Sequence, residues 1–319
     1  MGKSLPIEPL LNSLSQQEKA KALREMLRSG KPLCVPGAFN ALVAKLAECQ
    51  GFPAVYVSGA ALHNGVTGYP DIGLLTQSEM AQFSGYIARA TNLPTIADVD
   101  TGFGEALNVV RTVQRYEQEG IAAIHLEDQV FPKRCGHLGG KAVIPVEHMV
   151  AKVRAACQAR SNPETLIIAR VDSRSVNGFD DALMRARAYV NAGAEMIFPE
   201  ALKDASEFEQ FATQLRETHP KAWLLANMTE FGQTPLYTTQ QFGQWGYNLV
   251  IFPMTLMRVL QKTIDEALTL LKTEGTQAGF VDRMATRQEL YDLIRYSDYT
   301  AMDASISEAS TLAFEMPTV

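Results

Sequence analysis

The sequence has few cysteines, four in 319 residues, and they follow no regular spacing. We therefore expect reduced thiols and a cytoplasmic protein rather than a disulfide-stabilised one. No apolar run approaches the roughly 18 residues of a membrane-spanning helix, so no membrane segment is predicted. A basic surface is also lacking, because the net charge is -6 and no Lys/Arg run exceeds two residues. Nucleic acid and anionic membranes are therefore not expected partners.

The sequence is instead rich in alternating segments. From Leu33 onward, short apolar runs with β-branched residues alternate with longer amphipathic stretches, which is typical of repeated βα units. Eight strands are predicted at residues 33–35, 54–57, 94–98, 122–126, 166–171, 196–199, 223–226 and 249–252. Helices are predicted at residues 41–50, 77–91, 106–119, 147–160, 180–192 and 206–218, and after the last strand at 256–272.

This alternation predicts an α/β fold, a (β/α)8 barrel of the TIM type. Eight strands over about 240 residues favour a closed barrel over an open sheet. No Gly-x-Gly-x-x-Gly motif follows the first strand, which disfavours a dinucleotide-binding fold. We expect one domain over residues 1–319, with an N-terminal helix at about 15–28 across one end and a C-terminal helical tail at about 280–319.

Polar residues follow the apolar run at most of the predicted strand ends, the face where such barrels carry their reactive groups. Burying several carboxylates there would be costly without a cation, so a hard metal ion is predicted. Asp98 and Asp100 are the expected ligands of Mg²⁺, with Mn²⁺ as an alternative. Gly102 and Gly104 indicate that the strand ends near these aspartates. Asp172 is interpreted instead as a helix cap or a salt-bridge partner.

The loop after the fourth strand carries the sharpest signal, Lys133-Arg134-Cys135-Gly136-His137. Two cations and an imidazole favour ionisation of the thiol, so Cys135 can exchange a proton near neutral pH. Glycines around it would let the loop open and close as a lid. General acid catalysis by Cys135 is therefore predicted ahead of nucleophilic catalysis, for which no supporting third group is identified. The alternative is a surface loop that basic residues merely coat.

The remaining cysteines, histidines and arginines carry weaker signals. Predicted strands or helices contain Cys34, Cys49 and Cys157, which are interpreted as inert thiols. The spacing typical of metal ligands is not seen among the histidines His63, His125, His148 and His219. They are interpreted as ordinary histidines without a metal-binding role. Substrate carboxylates could be bound by the guanidinium groups of Arg170, Arg258 and Arg287, which can donate two parallel hydrogen bonds to a carboxylate. The alternative is that these arginines lie at the surface or form ion pairs. The position of Arg170 at a strand end favours a functional role.

Together these motifs resemble the isocitrate lyase and phosphoenolpyruvate mutase superfamily, and within it the 2-methylisocitrate lyases of propionate catabolism. The resemblance covers about residues 32–299 and rests on Tyr56-Val-Ser-Gly59, Asp98-Val-Asp100-Thr-Gly-Phe-Gly104, Glu127-Asp-Gln129, Lys133-Arg-Cys-Gly-His137, Glu200, Asn227-Met-Thr-Glu-Phe-Gly232 and Thr286-Arg287. Cys135 separates the lyases from the mutases and hydrolases, whose loop lacks it. Isocitrate lyases are longer and carry Ser-Pro-Ser-Phe-Asn-Trp where this chain has Asn227-Met228-Thr229-Glu230, which favours 2-methylisocitrate.

The resemblance implies a magnesium-dependent retro-Claisen cleavage of a small tricarboxylate, 2-methylisocitrate, to pyruvate and succinate in the methylcitrate cycle. Cys135 would protonate the succinate carbanion, with Lys133 and His137 beside it. Tyr56 or Asp71 would remove the hydroxyl proton. Asp98 and Asp100 would hold the metal, with Glu127 behind them. The implied substrate contacts are Ser58, Gly59, Ala60, Gly136, Arg170, Glu200, Asn227, Met228, Thr229, Arg258 and Arg287. A homotetramer, in which the last helix packs on a neighbouring subunit, is also implied.

Two alternative functions stay open. One is a related lyase that acts on isocitrate or a dimethylmalate-like acid, because short apolar groups are distinguished by only about 1–3 kcal/mol in a pocket. The segment from Ala60 to Asn64 departs from the small residues usual in the family, which bears on substrate choice. The other alternative is a non-catalytic barrel that binds a dicarboxylate. The joint presence of Cys135, Asp98 and Asp100 argues against it.

Overall fold

The computed structural model describes residues 14–134, 136, 140–232 and 234–315. Eight parallel strands pair in sequence order, and the last pairs with the first, so the sheet is a closed barrel. This confirms the predicted (β/α)8 fold. Two of the predicted catalytic residues, Cys135 and His137, lie outside the described residues.

The strands are β1 (Leu33–Ala38), β2 (Val55–Val57), β3 (Thr95–Asp98), β4 (Ala123–Glu127), β5 (Leu166–Val171), β6 (Met196–Pro199), β7 (Trp223–Asn227) and β8 (Leu249–Phe252). The α-helices are α1 (Gln16–Arg28), α2 (Ala41–Cys49), α3 (Gly59–Leu62), α4 (Gln77–Arg89), α5 (Ala106–Gln118), α6 (Val146–Ala159), α7 (Arg174–Asn177), α8 (Phe179–Ala192), α9 (Ala205–Thr218), α10 (Thr239–Gln244), α11 (Thr255–Glu274), α12 (Arg287–Leu293) and α13 (Tyr296–Glu315). A π-helical turn (His63–Thr67) follows α3, and a 3₁₀ turn (Ala278–Arg283) follows α11.

Strand β1 differs most from its sequence-based boundary, because it continues through Pro36 and Gly37 to Ala38. A Pro-Gly pair usually indicates a turn. Here the glycine allows β1 to approach the end of β8, since a Cβ on Gly37 would lie 2.2 Å from the carbonyl oxygen of Pro253. The pair therefore serves close packing between two strands rather than a change of direction.

Helix α1 covers the amino-terminal end of the barrel. Its N-terminus is fixed by a capping box between Ser15 and Glu18, and its side chains Ala20, Leu23 and Leu27 are buried. These three residues belong to one apolar cluster with strand residues that fill the barrel interior. The helix thus closes the end of the barrel opposite to the one where the strands terminate.

The chain changes direction sharply after β3, which ends at Asp98 as the glycines that follow had indicated. Asp100 and Phe103 have φ angles of 48° and 58°, and Gly102 and Gly104 have 89° and 140°. Aspartate tolerates this left-handed region better than most residues that carry a Cβ. The turn keeps Asp98 and Asp100 at the same end of the barrel.

The chain divides into two compact units, of which one is residues 15–261 and contains the barrel. The second holds the residues from Lys262 onward, which form most of α11, the 3₁₀ turn, α12 and α13. In this second unit Thr286 and Glu289 form a capping box, and the rings of Tyr291 and Tyr296 stack at 4.7 Å. The extent of the single domain expected from sequence stays a prediction.

None of the helices in the described ranges is long and apolar enough to cross a bilayer.

The closure of the barrel by α1 can be tested by the substitution Leu23→Ala. We expect the free energy of unfolding to fall by about 2–5 kcal/mol, because the change leaves a cavity in a fully buried apolar cluster. The control is Leu107→Ala, the same change at a helical position that is 85% exposed, which should cost less than about 0.5 kcal/mol. Urea denaturation followed by circular dichroism measures both, and equal losses would contradict the role assigned to α1.

Candidate active site

A cavity of about 60 Å³ lies at the carboxyl ends of the strands. It is lined by Tyr56, Ser58, Ala60, Asp71, Asp98, Lys133, Arg134, Gly136, Arg170, Phe198, Glu200, Asn227, Thr229, Ile251, Pro253 and Met254. A groove of about 710 Å³, lined in part by Arg24 and Trp223, is larger but holds none of the residues singled out from the sequence. Chemistry rather than volume therefore identifies the candidate site.

An acidic cluster of Asp98, Asp100 and Glu127 is buried beside this cavity. Asp98 Oδ1 accepts the backbone N–H of Asp100 at 3.0 Å, and Asp98 Oδ2 accepts that of Gly59 at 3.2 Å. Among the described residues, no group donates a hydrogen bond to Glu127 Oε1, and Asp100 Oδ1 faces the ammonium of Lys133. Three buried carboxylates with few donors are costly, so the cluster favours a bound cation.

The acidic cluster fits a hard cation that is held only in part by protein. Within the described ranges, no group of three or more His, Cys, Asp or Glu side chains is arranged to hold a metal by itself. Mg²⁺ needs fewer protein ligands, because it keeps several waters and takes one or two carboxylates together with substrate oxygens. Asp98 and Asp100 match that requirement, and Glu127 lies behind them.

Lys133 attaches the loop after β4 to this cluster. Its Nζ lies 2.8 Å from Asp100 Oδ1 and forms a second, shorter ion pair with Asp71. Burial lowers the pKa of Lys133, but the carboxylates of Asp100 and Asp71 outweigh burial and hold the pKa well above its ordinary value. Lys133 is therefore a fixed positive charge that faces the predicted metal ligands.

Burial also acts on the cluster's own ionisation. It raises the pKa of Asp98, but the positive charges of His125 when protonated, of Lys133 and of Arg170 outweigh it and hold the pKa below its ordinary value. Burial raises the pKa of Glu127 well above its ordinary value despite Arg170. Asp98 is thus the member of the cluster best suited to stay ionised.

His125 contributes to the site, although its lack of metal-ligand spacing led the sequence interpretation to pass over it. Register pairs Asp98 with His125 across β3 and β4, and His125 Nε2 lies 3.6 Å from Asp98 Oδ1. The same nitrogen lies 2.7 Å from the hydroxyl of Tyr56, and the two rings stack at 5.6 Å. The signal that could have found it is alternation, because His125 lies two residues before Glu127 and shares its face of β4.

Arg170 is held by acids on three sides. Its Nε and Nη2 donate to Asp172 at 2.9 and 3.0 Å, and its Nε lies 3.2 Å from Glu127 Oε2 and 3.7 Å from Glu200 Oε2. Its guanidinium also packs over the ring of Phe198 at 5.2 Å. Asp172 is therefore a salt-bridge partner, one of the two roles interpreted from the sequence. Arg170 can offer its remaining donors to an anion with little loss of conformational freedom.

Two glycines among the predicted substrate contacts allow close packing. A Cβ on Gly59 would lie 2.8 Å from Asp98 Oδ2. A Cβ on Gly136 would lie 2.5 Å from Arg170 Nη2 and 2.6 Å from the side chain of Glu200. Both positions therefore require glycine if the charged groups are to keep their places.

The other predicted contacts fall into two groups. Ser58 caps α3 by accepting the N–H of Ala61 at 3.3 Å, Asn227 donates to Glu200 at 3.3 Å, and Ala60 and Thr229 line the cavity. Met228 points into the apolar core, Arg258 pairs with Glu230 at 3.3 Å, and Arg287 is an exposed residue at the start of α12 in the second unit. Roles for all of these in substrate binding stay predictions.

The sequence is similar to those of several known proteins. The family model for phosphoenolpyruvate phosphomutase matches residues 23–272. The 2-methylisocitrate lyase of Aeropyrum pernix is 50% identical over 285 residues, which make up 89% of this chain and 90% of that protein. The 2-methylisocitrate lyase of Bacillus subtilis is 42% identical over 294 residues, or 92% of this chain and 95% of that protein.

The fold is also similar to those of solved structures. A crystal structure of 2,3-dimethylmalate lyase superposes with a TM-score of 0.83 and 32% identity, covering 96% of this chain and 99% of that one. A phosphonopyruvate hydrolase in complex with oxalate and Mg²⁺ superposes with a TM-score of 0.80 and 29% identity, covering 91% and 99%. The matches therefore extend over nearly the whole length of these proteins.

The environment of His125 predicts an acid-sensitive contribution to stability. Burial lowers its pKa from 6.5 to about 4, so the folded protein keeps His125 neutral where the unfolded chain takes up a proton. The resulting stability is present above pH 6.5 and is lost as the pH falls towards 4, by about 3 kcal/mol in all.

His125→Gln should remove that part of the pH dependence. Urea unfolding in EDTA between pH 4 and 7.5 measures the free energy of unfolding of the variant and the parent. The stability advantage of the parent should narrow as the pH falls, because only the parent contains His125. The control is His148→Gln, the same change at an exposed histidine, which should alter the free energy of unfolding by less than about 0.5 kcal/mol. If the free energies of unfolding of His125→Gln and the parent differed by the same amount at every pH, His125 would not be the source of the acid sensitivity.

Proposed function

The chain belongs to the phosphoenolpyruvate mutase family, whose superfamily includes the isocitrate lyases, and we propose that it cleaves 2-methylisocitrate to pyruvate and succinate. The observation that carries the proposal is the buried cluster of Asp98, Asp100 and Glu127 beside the fixed Arg170. High identity to relatives of that activity supports the choice of substrate. The reaction would belong to the methylcitrate cycle of propionate catabolism, in the cytoplasm.

Asp98 and Asp100 would hold Mg²⁺, for which the oxalate and Mg²⁺ complex of a structural neighbour gives support. Bound there, the ion would supply positive charge that stabilises the deprotonated form of the substrate's hydroxyl group. Mn²⁺ takes the same oxygen ligands and is the alternative. Lys133, paired with Asp100, would keep the cluster from repelling a substrate with three carboxylates.

The first chemical step is removal of the substrate's hydroxyl proton. Burial raises the pKa of Tyr56 well above its ordinary value, which disfavours the phenolate that a base would have to be. Its hydroxyl is instead positioned by His125 and can donate to an oxygen of the substrate. Asp71 lines the cavity as a carboxylate paired with Lys133, and we assign the base to it.

The second step breaks the carbon–carbon bond. As the hydroxyl oxygen becomes the keto oxygen of pyruvate, the electron pair of the broken bond moves to the α-carbon of succinate. The thiol of Cys135 donates a proton to that carbon and becomes a thiolate. Arg170, with Asn227 and Thr229, would hold the carboxylates of the succinate half, and the neighbours of Cys135 in the chain, Arg134 and Gly136, line the same cavity.

A 2,3-dimethylmalate-like acid is the second candidate substrate, because a lyase for that acid has the same fold at 32% identity over nearly its whole length. Such an acid lacks one carboxylate that 2-methylisocitrate carries. The donors gathered around Arg170 would then have one anionic group fewer to bind. The number of carboxylates in the best substrate therefore distinguishes the two candidates.

The assembly would be a homotetramer in which α11 and the helices after it pack on a neighbouring subunit. The observation in support is an apolar stripe on α11, where large exposed side chains recur three or four residues apart. Its members are Leu256, Val259, Leu260, Ile264, Leu268 and Leu271. This spacing places them along one face of the helix, and a face of that kind is normally buried against a partner.

Substrate choice can be tested with a panel of acids in the presence of Mg²⁺. From 2-methylisocitrate we expect equal amounts of pyruvate and succinate, with kcat/KM at least about tenfold above that for isocitrate or 2,3-dimethylmalate. Isocitrate would yield glyoxylate, and dimethylmalate would yield pyruvate without succinate. Cys135→Ser should lower kcat by about 10²–10⁴-fold. The proposal fails if the parent forms no pyruvate above the Cys135→Ser background.

Metal binding can be tested separately from turnover. Asp100→Asn should weaken the binding of Mn²⁺, measured by electron paramagnetic resonance, by at least about tenfold, because one anionic ligand is lost. Asp204→Asn is the control, since Asp204 is an exposed cap of α9 and does not line the cavity. Unchanged Mn²⁺ affinity in Asp100→Asn would remove Asp100 from the metal site.

A further inference from the structure

Two side chains that the proposed chemistry does not use hold the backbone on either side of residue 135. The amide of Gln129 makes two hydrogen bonds to Arg134, in which Oε1 accepts the N–H at 2.9 Å and Nε2 donates to the carbonyl at 2.9 Å. Lys141 Nζ donates to the carbonyl of Gly136 at 2.6 Å. The main chain is therefore fixed immediately before and immediately after Cys135.

Both of these side chains converge on one carboxylate oxygen. Asp172 Oδ1 accepts from Lys141 Nζ at 2.9 Å and from Gln129 Nε2 at 3.2 Å. Gln129, Lys141 and Asp172 are all buried, so water is excluded from replacing any of these contacts. We call this set, Gln129, Lys141 and Asp172, the Asp172 clamp.

The base of the loop makes the clamp rigid. Residues 129 and 143 form an antiparallel bridge, and the backbone N–H of Val130 donates to the carbonyl of Ala142 at 2.8 Å. Gln129 and Lys141 thus stand on the two facing legs of a short ribbon and reach towards the same stretch of loop. A rigid base with two inward side chains is what a precise loop position requires.

Asp172 is itself held in place from behind. Its backbone N–H donates to Asp128 Oδ1 at 2.8 Å, and Asp128 Oδ2 accepts from the Tyr189 hydroxyl at 2.7 Å and from Arg185 at 3.2 Å. Its carboxylate also accepts two hydrogen bonds from Arg170, one from Nε and one from Nη2. One carboxylate therefore sets the position of the loop and of the arginine that faces the cavity.

We propose that Gln129, Lys141 and Asp172 are positioning residues that fix the backbone of Arg134 and Gly136, the chain neighbours of Cys135, relative to Arg170. The proposal rests on the proposed function in one respect, the role of Cys135 as the acid. The residue types suit the task. A glutamine offers a donor and an acceptor in one plane, which matches a backbone N–H and C=O as a neighbouring strand would, while a lysine reaches a carbonyl from a distance.

The test uses Gln129→Met and Lys141→Met, which keep a long unbranched side chain at each position and remove its hydrogen bonds. In each, kcat should fall by about 10–100-fold, since misplacement of a catalytic group by about 1 Å has effects of this size. KM should change by less than about threefold, because Arg170 keeps its pairing with Asp172. The double variant should lose less than the product of the two single losses, because both side chains serve one carboxylate.

Hydrogen–deuterium exchange of the segment 131–141 gives a readout that needs no substrate. Exchange there should be at least about tenfold faster in both variants than in the parent. Gln129→Met removes the acceptor of the Arg134 N–H, and Lys141→Met removes the donor that holds the carbonyl of Gly136. The control is Lys19→Met, the same substitution at another buried lysine, whose Nζ donates to the carbonyls of Ala88 and Thr91. It should leave kcat and the exchange of this segment unchanged even if it lowers the melting temperature.

Unchanged kcat and unchanged exchange in both clamp variants would overturn the proposal. It would also be overturned if Lys19→Met reproduced their effects, since loss of stability alone would then account for them. If the parent itself fails to cleave 2-methylisocitrate, the proposed function is wrong, and the exchange measurement still decides whether the clamp holds the loop.

Discussion

The functional end of the barrel depends on the compensation of buried negative charge. Asp98, Asp100 and Glu127 lie together with little access to water, and buried carboxylates are unfavourable unless cations or donors face them. Lys133 and Arg170 supply part of that compensation, and Glu127 Oε1 still lacks a donor among the described residues. The proposed metal ion would supply the rest of the compensation.

Much of this end of the molecule follows from local sequence signals. Apolar runs of strand length predicted all eight strands, and polar residues directly after them predicted that Asp98, Asp100 and Arg170 would lie at one face. Such predictions succeed because burial forces strands to be apolar until they end. The sequence did not predict the extension of β1, because Gly37 is required by its close contact with Pro253. That contact joins residues far apart in the chain, so no local pattern indicates it.

The contacts that the sequence could not predict join residues distant along the chain. Tyr56 meets His125, and Asp172 meets both Gln129 and Lys141. The sequence around each of these residues gives no sign of its partner. The contacts form only when closure of the barrel brings neighbouring strand ends together. The motif around Cys135 is contiguous and so was visible, whereas the side chains that hold its flanking backbone are spread over three segments.

The wall of the cavity opposite the charged groups has a different character. Ile251 and Met254 line it, and in the described part of the chain neither takes part in the ion-pair network around Arg170. Changes in the charged ring would disturb several partners at once, whereas these two apolar positions can be altered one at a time. For laboratory evolution towards acids with bulkier alkyl groups, Ile251 and Met254 are therefore the positions at which the shape of the cavity can be changed while the charged side chains keep their partners.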